Sequence, residues 1–290
     1  MPRPLSSRSP RNPAAPRPAD RDAAAAPEVV LIIPARFASR RFPGKPLATL
    51  RGATGIGASL VERTWRAARA ARGVDAIYVA TDDRRIQTHC EGFGAAVVMT
   101  SASCRNGTER CAEAIGILGI APRIVINLQG DAPLTPPWFI EALIEAMRPG
   151  TEVATTVLRC TPSQHAALVA EWQAGIVGGT TVVRDAWGRA LYFSKAVIPA
   201  SQRSFAEAEA VPVFQHVGVY AYTPAALAAY RAAGPAEVEL VEGLEQLRFL
   251  VQGVPVLCVE VPDRGRRFWE LNNPPDVGRI EEIMAAEHIA

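Results

Sequence analysis

Apolar residues in the first half of the chain fall into short unbroken runs, and the stretches between them are amphipathic at helical spacing. Val29 to Ile33, Ala76 to Ala80, Ala95 to Met99 and Arg123 to Leu128 have the length and composition of strands buried on both faces, as in a parallel sheet. Leu60 to Ala71, Arg84 to Phe93, Thr108 to Leu118 and Pro136 to Met147 read as helices, the last with Thr135 as N-cap and proline in its first turn. Strands that alternate with helices of this length make right-handed βαβ units. The expected fold is α/β, a Rossmann-like doubly wound and mostly parallel sheet.

Beyond Glu152 the rhythm becomes strand-rich. Glu152 to Leu158, Thr180 to Arg184, Ala190 to Phe193, His216 to Thr223 and Val254 to Val261 are predicted strands, with a turn at Asp185 to Gly188. Helices are expected at Ala225 to Ala232, Val238 to Leu250 and Pro274 to Ala286. Residues 1 to 27 carry prolines, arginines and an alanine run with little to form a core, and read as a disordered tail. Their Arg/Ser/Ala content also resembles an organelle transit peptide. The remainder divides into a nucleotide-binding half, 28 to 150, and an acceptor or dimerisation half of the same domain, 151 to 290.

Composition narrows the choice of partners. A net charge of +2 over 290 residues gives no nucleic-acid footprint, and no apolar run reaches the length of a membrane span. Five cysteines without a Cys-x-x-Cys pair fit a reducing cytoplasm and argue against thiolate metal sites. Of the 31 basic residues, all but Lys45 and Lys195 are arginine, so two lysines stand against a strong bias.

The loop after the first strand is punctuated by Pro34, Pro43, Gly44 and Pro46 and charged by Arg36, Arg40, Arg41 and Lys45. Cations and a glycine at the carboxyl end of a parallel strand make a polyphosphate site. Neither Gly-x-Gly-x-x-Gly nor the Gly-x-x-x-x-Gly-Lys-Ser/Thr loop is present, which counts against a dinucleotide oxidoreductase. Asp131, in Gln-Gly-Asp-Ala-Pro just beyond the fourth strand, lies at the same sheet edge and suits a magnesium ligand.

These segments together resemble a known family. Ile33-Pro34-Ala35-Arg36-x-x-Ser39-x-Arg41-x-Pro43-Gly44-Lys45-Pro46-Leu47, Asn106-Gly107-Thr108-Glu109-Arg110, Asn127-Leu128-Gln129-Gly130-Asp131, His216-Val217-Gly218-Val219-Tyr220 and Leu244-Glu245-Gln246-Leu247-Arg248 are similar to the signatures of the sugar-acid cytidylyltransferases, in particular the CMP-Kdo synthetase (3-deoxy-manno-octulosonate cytidylyltransferase) family. The resemblance runs in the family's order over residues 29 to 286. It implies a CTP-dependent nucleotidyltransferase that releases pyrophosphate, uses Mg2+ and forms a homodimer. Arg36, Lys45 and Asp131 would be catalytic, with Arg36, Ser39, Arg41, Lys45, Thr100, Gly107 and Thr108 around CTP. Gln129, Lys195, His216, Tyr220, Glu242, Arg248 and Arg266 would meet the acceptor.

Several positions depart from the family pattern. Ala132 stands where Glu is usual, Asn272 where a metal-ligating Asp is expected, and Lys195 where Arg is usual. Asn272 can still offer an oxygen alongside Asp131, and Glu270 could substitute for the missing carboxylate. Arg264, Arg266 and Arg267 are expected near the metal, so the reading favours a small anionic acceptor of the phosphonoformate type. Kdo is the alternative, and a CTP-binding regulator of weak activity the second alternative.

Overall fold

The computed structural model describes residues 27–39, 41–176, 179–201 and 203–290. Arg40 and residues 1 to 26 of the expected tail lie outside the described residues. Strand β1 (Val29–Pro34) is followed by the phosphate loop, a short hairpin of β2 (Thr49–Arg51) and β3 (Gly57–Ser59), and helix α1 (Leu60–Arg69). Then come β4 (Ala76–Thr81), α2 (Arg84–Gly92), β5 (Ala96–Met99), α3 (Gly107–Leu118), β6 (Ile124–Leu128) and α4 (Pro137–Ala146). The second half holds β7 (Val153–Arg159), α5 (Pro162–Gln173), β8 (Thr181–Arg184), β9 (Ala190–Ser194) and β10 (Phe214–Tyr222). It closes with α6 (Pro224–Ala233), α7 (Glu237–Glu242), α8 (Leu247–Val251), β11 (Val256–Glu260) and α9 (Asp276–Ala286).

The main sheet runs β11-β7-β10-β6-β1-β4-β5, with β8 and β9 attached beside β10. β1 pairs in parallel with β4 and β6, and β5 with β4. β10 is antiparallel to both β6 and β7, and β11 is parallel to β7. Successive residues of β1 point to opposite faces, so Val30 and Ile32 enter the core under α3, α6 and α8. Leu31 and Ile33 enter the core under α1, α2 and α4. A strand apolar at every position is the direct result, as expected for a sheet covered on both faces.

Four details differ from the sequence expectation. The single helix over Val238 to Leu250 is two helices, because Gly243 takes the left-handed conformation (φ 62°) and ends α7. Pro136, not Thr135, is the N-cap of α4, since Thr135 Oγ1 donates back to the Ala132 carbonyl. The hairpin of β2 and β3 and helix α5 were not expected. Helix α5 carries a reciprocal capping box between Thr161 and Gln164 with Pro162 in the first turn.

Candidate active site

Strand order reverses between β1 and β6, because the chain moves outward through β4 and β5 and then returns across β1. The loops that leave these two strands must therefore diverge and open a cleft at their carboxyl ends. Gly130 holds the two loops at their closest approach, since a Cβ there would lie 2.5 Å from the Pro34 carbonyl oxygen. In the phosphate loop the Phe37 carbonyl accepts from the amides of Ser39 and Gly44 at 2.9 and 3.0 Å. Gly44 is left-handed (φ 71°) with the Phe37 ring packed against it. Arg85 of α2, held by Asp83, covers the same ring at 3.4 Å.

Charges meet across the cleft. Lys45 Nζ donates to Asp131 Oδ2 at 2.7 Å, with the two side chains 14% and 25% exposed. Arg41 donates to Asn272 Oδ1 at 2.9 Å, and the Leu271 amide donates to the Asp131 carbonyl at 2.9 Å. Half-buried Glu270 stands beside them, its carboxyl pushed up to about 7 by burial and by the negative charge of Asp131. Arg36 is exposed, and among the described residues it makes no ion pair. Half-buried Ser39 lies in the turn that starts the loop.

A polar wall continues from this cluster. The Gln129 amide donates to Glu245 Oε1 at 2.8 Å, and its side chain passes between Gly107 and Gly218, where added Cβ atoms would lie 2.7 and 3.3 Å from it. Gly218 also backs onto Glu270. Glu245 accepts from the Thr108 amide at the start of α3, and burial holds its carboxyl above the ordinary range. Tyr220 donates to Gln246 Oε1 at 3.2 Å, and the ring of His216 lies 5.3 Å from that of Tyr220. They stay neighbours although the strand register shifts between Val217 and Tyr220. His216 Nε2 meets Thr155 Oγ1 at 2.9 Å, and burial depresses its pKa to about 3, so the ring is neutral.

A cytidylyltransferase family model matches residues 30–257. The chain belongs to the cytidylyltransferase family. It is 44% identical over 261 residues to a 3-deoxy-manno-octulosonate cytidylyltransferase of Maricaulis maris (strain MCS10), covering 89% of this chain and 98% of that one. To the enzyme of the same name from Anaeromyxobacter sp. (strain Fw109-5) it is 43% identical, over 89% and 97% of the two chains. A solved CMP:2-keto-3-deoxy-manno-octonic acid synthetase complexed with CTP superposes with a TM-score of 0.75 at 31% identity, covering 90% of this chain and 99% of that one.

For a cytidylyltransferase the remaining positions divide clearly. Thr100 accepts from Arg110, which faces Asp82 at 3.6 Å, so the tops of β4, β5 and α3 form one polar rim with Gly107 and Thr108. The Thr108 hydroxyl bonds to that of Tyr222 at 2.9 Å. Glu242 accepts from Ser194 Oγ and the Lys195 amide, and the Lys195 ammonium lies 2.9 Å from where a Gly243 Cβ would be. Arg248 is fully enclosed, donating to Glu239 at 2.7 and 2.6 Å, to Glu109 at 3.0 Å and to the Tyr230 carbonyl. That places it as a tie between α3, α6 and α7 rather than as an open acceptor contact.

One expected cluster does not form. Arg266 and Arg267 pair with Glu287 at the end of α9, and Arg264 stacks over Trp138 at 4.7 Å. A carboxylate and an indole face drawn from α9 and α4 hold the three guanidinium groups there, correcting the placement of Arg266 at the acceptor. Sequence reasoning missed Glu245 as the partner of Gln129. Its i, i+3 spacing with Glu242 and Glu239 reads as a solvated helix face, and a glycine within that run was the available signal that the helix breaks. Among the described residues no helix is long and apolar enough to cross a membrane.

Proposed function

We propose that the chain transfers CMP from CTP to 3-deoxy-manno-octulosonate (Kdo), releasing pyrophosphate. The observation that carries this reading is the meeting of Lys45 and Asp131 across the loops at the switch point, a phosphate cation facing an oxygen donor where a polyphosphate would lie. The names of the relatives at 44% and 43% identity support the acceptor, and the solved neighbour with CTP supports the nucleotide. The phosphonoformate-type acceptor expected from Arg264, Arg266 and Arg267 loses its ground, because those side chains are held by Glu287 and Trp138.

In this reading Arg36, Arg41 and Lys45 take the triphosphate, and Ser39 shapes the loop around it. Thr100, Gly107 and Thr108 lie at the nucleoside rim. Gln129, Tyr220 and His216 line the acceptor side, where His216 contributes a neutral surface and takes up no second proton at working pH. The acceptor oxygen attacks the α-phosphorus, the bond to the β-phosphate breaks, and pyrophosphate takes the electron pair. Positioning and charge stabilisation do most of this work.

The donor set fits magnesium. Asp131, Glu270 and Asn272 offer hard oxygens, and the Glu270 carboxyl is raised first by burial and then by the negative charge of Asp131. Mg2+ held by Asp131 with Glu270 and Asn272 would neutralise phosphate charge as the P–O bond breaks. The test is pyrophosphate release from CTP and Mg2+ with Kdo or phosphonoformate as acceptor. A specificity constant for Kdo at least tenfold the higher is expected. Preference for phosphonoformate restores the compact-acceptor reading, and turnover of neither favours a CTP-binding regulator.

A further inference from the structure

Two contacts bridge the cleft in the same sense. Lys45 donates to Asp131, and Arg41 of the same loop donates to Asn272 Oδ1. Both cations belong on the triphosphate in the proposed reaction, and both oxygens belong on the metal. The bond from the Leu271 amide to the Asp131 carbonyl joins the two oxygen-bearing segments, so the contacts form one latch. Arg36, exposed and without an ion-pair partner among the described residues, is left to meet incoming phosphate.

We propose that these contacts gate the metal site: a divalent cation enters when nucleotide phosphates draw Lys45 and Arg41 away from Asp131 and Asn272. The inference rests on the proposed function. A divalent cation arriving alone must settle beside the Lys45 ammonium. With side chains only 14% and 25% exposed, solvent screens that repulsion poorly. A cation arriving with triphosphate meets a balanced exchange, in which every ion pair broken is replaced by one to phosphate. By linkage, the factor by which nucleotide tightens metal binding is the factor by which metal tightens nucleotide binding.

The probe is Mn2+, titrated by electron paramagnetic resonance into the nucleotide-free full chain. Lys45→Met is expected to bind Mn2+ about tenfold more tightly than wild type, roughly the effect of relieving one poorly screened like charge, and the exposed Arg41→Gln about threefold more tightly, since solvent screens its charge more. Arg36→Gln removes the same charge from the same loop without touching a metal oxygen, and should stay within about twofold of wild type. Melting temperature confirms that each variant folds, and the exposed Arg41 provides an arm that leaves the half-buried pair intact. Water-proton relaxation with CTP and no acceptor reads the ternary complex in wild type. Wild type that binds nucleotide-free Mn2+ as tightly as the variants, or an Arg36→Gln gain equal to theirs, overturns the gate alone. Absence of a ternary signal overturns the gate and the proposed function together.

Discussion

The two sides of the cleft are built by opposite means. On the side where the proposed function puts the phosphates, Arg41, Asp131 and Asn272 stand on loops and Lys45 opens a single 3-10 turn, Lys45–Leu47, and each has a partner that can be exchanged. On the side where the proposed function puts the acceptor, Gln129, Tyr220 and His216 are held by half-buried Glu245 and by buried Gln246 and Thr155. Behind that layer, Arg248 binds Glu239 and Glu109 in the interior. A site for a highly charged ligand needs charges that can be handed over, because leaving them unpaired or sealing them away would cost several kcal/mol. A site that distinguishes one hydroxylated acid from another needs polar atoms already in place, since reorganising them would consume the binding energy.

If that contrast is right, losses on the phosphate side fall on turnover and losses behind the acceptor wall fall on stability. The largest expected effect is that of Lys45→Ala, which should lower kcat/KM about 10²- to 10³-fold by removing a donor aimed at developing phosphate charge. Its melting temperature should fall by less than that of Arg248→Met, because the Asp131 left behind still shares the cleft with solvent whereas Glu239 does not. Turnover within threefold of wild type, measured by pyrophosphate release, would break the comparison. Arg248→Met should instead destabilise by about 3–5 kcal/mol in urea denaturation, since Glu239 would be left buried without its cation and Glu109 would keep only Arg105. A stable variant with a raised KM for the acceptor would make Arg248 a ligand contact and move the boundary between the two regions.

The effect that is smallest at neutral pH sharpens the contrast in acid. His216 has its folded pKa depressed to about 3 against an ordinary value of 6.5. Between those values the unfolded chain binds a proton that the folded chain refuses. The His216 contribution is thus fully present above about pH 6.5 and falls as pH drops toward 3, by at most about 1.4 kcal/mol per unit. Melting curves of His216→Gln should show a shallower acid slope than wild type over that window. Parallel slopes would mean that His216 takes up its proton in the folded state.

The parallel half was legible because its central strands are almost wholly apolar, β6 interrupted by Asn127 and β4 ending in Thr81, and Val30 to Ile33 have no exposed surface at all. The cleft was legible for the same topological reason, which put Lys45 and Asp131 on one edge before any side chain was placed. Pairings across long sequence separations were not. Nothing local to Gln129 tells that Glu245 will meet it, and nothing near Arg266 tells that Glu287 will turn it outward. A charged loop residue has several reachable partners, and folding selects among them through the packing of other elements. Helix α5 is different, since its Thr-Pro-Ser-Gln start is a cap readable from local sequence alone.

The reversed direction of β10 matters to anyone who wishes to watch this protein at work. Because β10 runs against its neighbours, its middle, at Gly218, faces the cleft residues Gln129 and Glu270, and its end, at Tyr222, lies on the far rim beside the start of β7. An isotope label on Gly218 would therefore report beside Gln129 and Glu270, while one at the Thr223 turn would sit at the other end of the pairing with β6. The pair makes a built-in reporter and reference on a single strand, from which a ligand-dependent signal can be separated from drift of the whole molecule.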